Sequence, residues 1–125
     1  MSNRIDHAEH NKELSEKLYT EGKFLDWSNT AAFYSALHFV HSKLLPGTYN
    51  GILCNSIEDV YRVFRCKGKH EATSQLVQVG LPVVAQYYSF LMNCSFTARY
   101  VDYNVHSEHS KLCQKYLNKI KDVCI

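Results

Sequence analysis

Six of the seven histidines in this 125-residue chain come in pairs spaced i, i+3: His7 with His10, His38 with His41, and His106 with His109. On a helix such a pair shares one face and can hold a metal ion from one side. Zinc needs three or four ligands, and neither an H-E-x-x-H sequence nor a nearby cysteine pair supplies the others here. We therefore expect no native metal site, and nothing in the sequence asks for a cofactor. His38 lies one turn after Tyr34 and Ser35 in an apolar stretch, the setting of a buried histidine bonded to hydroxyls or backbone groups.

The seventh histidine stands in RCKGKHE, where Arg65, Lys67, Lys69 and His70 surround Gly68. Backbone N–H groups beside a glycine can approach a phosphate closely, and a helix starting near His70 turns its positive end to the same place. Lys67, Lys69 and His70 are thus candidate nucleotide- or RNA-binding residues, with a solvated basic loop as the plainer alternative. Nine tyrosines are many for this length, and Tyr100 and Tyr103 stand together at the exit of one segment. A phenol joins an apolar ring to a hydroxyl, which suits base stacking or a dimer interface as well as the core of a small bundle.

These side chains need a scaffold, and the hydrophobic pattern describes one. The chain is long enough for a single domain, residues 1–125, with one core. A net charge of +2 falls short of the dense Lys/Arg patch of a dedicated nucleic-acid binder. Five scattered cysteines without a CxxC pair point to reduced thiols in a cytoplasmic protein, and the longest apolar stretch, residues 76–92, is interrupted by polar residues, glycine and proline. No membrane span is expected.

The spacing of apolar residues predicts helices over about 5–20, 26–45, 57–64, 70–79, 82–100 and 107–123, with no competing strand. Gly22 should end the first, Asp26 should cap the second, and Asn55 and Glu58 stand at capping-box spacing before the third. The segment DWSNTAAFYSALHFVHSKLL has too few polar positions for one exposed stripe, so other helices should surround it. The expected fold class is all-α, with PGTYNGILCN as its longest loop.

Three segments of this layout carry a resemblance to the HEPN superfamily of helical domains. Trp27-x3-Ala31-Ala32-Phe33-Tyr34-Ser35-Ala36-Leu37-His38 resembles its W-x3-A-A-x-Y-A-A-x-H central helix. Lys69-His70-Glu71 resembles the basic-His segment after its loop, and Tyr88-x2-Leu91-x3-Ser95-x2-Ala98-Arg99-Tyr100 resembles the ending of its next long helix. The chain departs from the pattern after His70, where Thr73 and Ser74 stand in place of a nearby Arg. The resemblance implies an up-and-down bundle of four to five helices, often a homodimer with a cleft between protomers. It also implies either a metal-independent endoribonuclease using an R-x(4–6)-H motif, or a module without that motif that binds RNA, a nucleotide or a partner protein.

Three stretches fit the motif: Arg4-x5-His10, Arg65-x4-His70 and Arg99-x6-His106, a modest excess over chance for a chain with these many histidines. Arg99 and His106 are the best placed, at the end of a core helix and the start of the next. There a histidine would act as base on a ribose 2′-hydroxyl while the arginine fork stabilised a phosphorane-like transition state. Arg65 and His70 are the second choice. With several matches and no second catalytic carboxylate, the leading expectation is a non-catalytic binding or assembly module, and the ribonuclease is the alternative.

Overall fold

A computed structural model describes residues 3–125. Four long helices form the body: α1 (Arg4–Glu21), α2 (Leu25–Leu44), α5 (Ala85–Tyr100) and α6 (Ser107–Cys124). Between α2 and α5 lie a small hairpin, β1 (Gly47–Tyr49) and β2 (Ile52–Cys54), two shorter helices, α3 (Ile57–Val63) and α4 (Lys69–Gly80), and a 3-10 turn at Pro82–Val84. The all-α class holds, with the chain running up and down through the four long helices.

Contacts between helices give their directions. Ser15 of α1 bonds to Ser28 of α2, and Ala8 of α1 receives Ser35 of α2, so a step forward on one helix is a step back on the other. Glu9 pairs with Lys121 and Ser15 with Gln114, which sets α6 antiparallel to α1. Tyr87 and Phe90 meet Tyr116, while Phe90 also meets His109, which sets α5 antiparallel to α6. As expected, α2 is the central helix: it packs against α1, α4, α5 and α6, and its residues from Ser28 to His41 are buried except Tyr34 and His38, which are half-buried. Phe33, Phe39 and Val40 from α2 meet Leu76 and Val77 of α4, Tyr88 and Leu91 of α5, and Leu117 and Ile120 of α6 in one core.

Gly22 ends α1 as its type predicts: with φ of 74° it turns left-handed and donates its N–H to Leu18. Other boundaries differ. Helix α2 starts at Leu25 with Phe24 at its cap and no side-chain cap bond, and Asp26 sits in its first turn instead. The cap of α3 is Ser56 rather than Asn55, and Asp59 rather than Glu58 reaches back, accepting the Asn55 N–H at 2.9 Å.

The expectation of no strand is corrected by the hairpin in PGTYNGILCN. Gly47 pairs with Cys54 and Tyr49 with Ile52, and Asn50 and Gly51 both have positive φ, 51° and 77°. Asn-Gly is the dipeptide that tolerates two such residues, which closes the tight turn. Among the described residues all five cysteines are free, and no helix is long and apolar enough to cross a membrane.

Candidate functional site

Arg99 lies in the last turn of α5, and its guanidinium turns back toward α2. Its Nε donates to the Ser95 carbonyl at 3.3 Å, and one terminal nitrogen donates to the Tyr34 hydroxyl at 3.1 Å and the Tyr100 hydroxyl at 3.4 Å. The cation also stands 5.5 Å from the Tyr34 ring centre and 4.9 Å from that of Tyr100. Two phenols therefore fix its direction by both hydrogen bonding and cation–π attraction. Tyr34 comes from the W-x3-A-A-x-Y segment and Arg99 from the A-R-Y segment, so two of the three stretches that carry the family likeness meet here.

His70, from the third stretch, completes the group. At the start of α4 its ring packs edge-on to Phe33 at 5.4 Å and lies 5.9 Å from the Tyr34 ring. Partial burial against these rings lowers its pKa, and the Arg99 charge lowers it further. Its charged partner is thus Arg99, 29 residues on, rather than Arg65. Arg65 is exposed in a left-handed turn after α3, with φ of 53°. Around Arg99 the surface is aromatic: Tyr100 is 66% exposed, and Phe96, 54% exposed, lies 5.2 Å from it. Tyr103 stands exposed in the following loop.

The loop before α4 is less positive than its lysines suggest. Glu71 accepts the Lys67 N–H at 2.7 Å, occupying a donor that would otherwise face a phosphate, and Lys69 pairs with Glu58 at 3.1 Å. The structure brings His70 and Tyr100 to Arg99.

His106 lies elsewhere. It caps α6 with extended backbone, and its ring meets His109 edge-on at 5.4 Å. Both line a cavity of about 510 Å³ with Asn29, Phe90, Thr97 and Asp102. Arg99 follows Phe90 by nine residues, about half a turn around an α-helix, so Arg99 and that cavity occupy opposite sides of α5. Asn29 borders this cavity but is only 1% exposed, and both polar atoms of its amide are enclosed without a hydrogen-bond partner among the described residues. Leaving such a group unpaired costs about 1–3 kcal/mol. A lone asparagine in an otherwise small and apolar stretch of α2 was the sequence signal for this position.

The α2 histidines divide differently from expectation. His38 is half-buried and stacks on His7 at 3.8 Å, while His41 is the buried, bonded one, with Nε2 2.9 Å from the Thr73 hydroxyl oxygen. That hydroxyl donates to the Lys69 carbonyl, so the imidazole N–H donates to it. Burial first and neighbouring positive groups second hold both histidines at a pKa of about 4. Among the described residues, no three His, Cys, Asp or Glu side chains gather as a metal site would require. Comparison of the chain with protein-family models, curated proteins and solved structures gives no match.

Proposed function

We propose that the protein is a non-catalytic, HEPN-like module of the cytoplasm that binds single-stranded RNA through the face around Arg99, and does so as a homodimer. The observation that carries this reading is the Arg99 guanidinium, aimed by the Tyr34 and Tyr100 hydroxyls and set beside the exposed rings of Tyr100 and Phe96. A fork donor for phosphate next to aromatic faces for bases is the combination that grips a single strand without reading its sequence. Two copies with these rings toward each other would bury apolar surface and line a shared cleft with two arginines.

Anisotropy titration of a labelled RNA oligonucleotide in EDTA tests the reading. Arg99→Ala and Tyr100→Ala should each weaken binding by about tenfold, the size expected for loss of one stacked or charge-assisted contact. Light scattering should give twice the 14.5 kDa chain mass. Unchanged affinity in both variants would remove the assignment, and a single-chain mass would remove the dimer.

One observation favours an enzymatic second reading: a histidine packed on the Tyr34 ring that holds Arg99, with its pKa lowered by burial and by the Arg99 charge. In that case His70, rather than His106, would take the 2′-hydroxyl proton as the 2′-oxygen attacks phosphorus, with Arg99 on the phosphoryl oxygens. The 5′-oxygen would leave and take up a proton, giving a 2′,3′-cyclic phosphate. Cleavage in EDTA that is lost in His70→Ala and kept in His106→Ala would establish it, and intact RNA favours the module.

A further inference from the structure

We propose that Cys94 and Cys113 form a reversible, peroxide-driven disulfide between α5 and α6, with Cys94 as the thiol that meets the oxidant and Cys113 as the one that resolves it. Neither cysteine belongs to the Arg99 face, so the pair stands whether or not that face binds RNA.

The packing of α5 on α6 brings the two side chains together. Phe90 of α5 lies between two rings of α6, 6.0 Å from His109 and 5.2 Å from Tyr116. Cys113 stands four residues after His109 and three before Tyr116, so it shares the face of α6 that meets α5. Cys94 follows Phe90 by one turn and shares the face of α5 that meets α6. The two thiols are hydrogen-bonded to each other, and Cys94 packs against the core to which Cys113 belongs. Cysteines can be bridged only where their side chains already point at each other, a condition this pair meets.

The two sulfurs are unequal, and the inequality assigns their roles. Cys94 is half-buried and lines the cavity of about 510 Å³, whereas Cys113 is fully buried. A small oxidant entering the cavity therefore reaches Cys94 first. The hydrogen bond from Cys113 holds the Cys94 thiol below the ordinary cysteine range against the effect of burial, while the same bond and then burial push Cys113 up. Burial also pushes Cys54, Cys66 and Cys124 up, so of the five thiols Cys94 is the one set to ionise. Asp102, which lines the same cavity, opposes the thiolate, and the imidazoles of His106 and His109 favour it when protonated.

The chemistry balances in two steps. The Cys94 thiolate attacks one oxygen of hydrogen peroxide, the O–O bond breaks, and the departing hydroxide takes up a proton to become water, leaving a sulfenic acid. The Cys113 sulfur then attacks the Cys94 sulfur, its proton leaves with the hydroxyl as a second water, and the S–S bond forms. Two thiols are oxidised and one peroxide is reduced. A thiol reductant reverses the bond by exchange.

Treatment of the full reduced chain with a few equivalents of hydrogen peroxide, then alkylation and non-reducing peptide mass spectrometry, is the test. The Cys94 and Cys113 peptides should be recovered linked within a single chain and freed by dithiothreitol, with Cys54, Cys66 and Cys124 alkylated. In Cys113→Ala the sulfenic acid has no resolving thiol, so dimedone should label Cys94 at least severalfold more than in the unsubstituted chain. The linked peptide needs no variant, and it decides the matter if Cys113→Ala fails to fold. No linked peptide, a bond from Cys94 to another cysteine or to a second chain, or no dimedone adduct on folded Cys113→Ala would each overturn the proposal.

Discussion

His41 is neutral because its ring is enclosed between α2 and α4, with its N–H on the Thr73 hydroxyl and with His38, His70 and Arg4 nearby as positive or potentially positive groups. Glu58 pulls in the other direction but does not prevail. The folded-state pKa is about 4 against a reference of 6.5, so on acidification the unfolded chain takes up the proton first. The stabilisation is complete above pH 6.5 and is lost as pH falls toward 4. Between pH 7.5 and pH 5 His41 alone should remove about 2 kcal/mol, and His38 adds loss in the same direction. Urea unfolding at the two pH values should show this drop, and His41→Gln, which keeps a donor for Thr73 without titrating, should flatten it. An equally steep drop in the variant would place the proton elsewhere. Residue by residue, the sequence showed which types could do chemistry but not which would meet. Arg99 and His106 are near in the chain but face different sides of α5, because the Arg99 guanidinium turns to Tyr34 while the loop after α5 carries His106 to the cavity. Arg99 and Tyr34 are 65 residues apart in the chain and hydrogen-bonded.

At the scale of elements, local patterns were legible wherever local forces decide. The helix 3-4 spacing and the Gly22 stop gave boundaries that differ from the observed ones by about three residues at most. The hairpin was hidden because its strands have three residues each, too few for alternation to show, although Asn50-Gly51 carried the turn signal. In α1, Leu14 is 45% exposed, while Ser15 is buried. Close approach of α1 to α2 needs small side chains at the contact, and the Ser15 and Ser28 hydroxyls each bond to the other residue's carbonyl at 2.8 Å. Gly47 is fixed by a similar closeness at the other end of α2. The Tyr49 hydroxyl donates to the Leu44 carbonyl at 2.7 Å, and a Cβ on Gly47 would lie 2.6 Å from that same oxygen. The backbone oxygen cannot swing aside as a side chain could. Gly47→Ala should therefore cost about 1–3 kcal/mol by breaking this closure, measured as a lower urea midpoint with unchanged slope. A neutral substitution would show that the hairpin shifts freely against α2.

On the scale of the whole molecule, α5 divides two chemistries. One side presents Arg99 with aromatic rings, the other faces a cavity of amides, imidazoles and a carboxylate with no lysine or arginine. A ligand on the Arg99 side should respond to salt. RNA held by Arg99 displaces counterions, so its affinity should fall as salt rises, and Arg99→Ala should reduce the slope of log affinity against log salt by about 0.7, one single-strand phosphate contact. Anisotropy titrations at 50 mM and 200 mM salt measure this directly, and an unchanged slope in the variant would mean that Arg99 holds no phosphate.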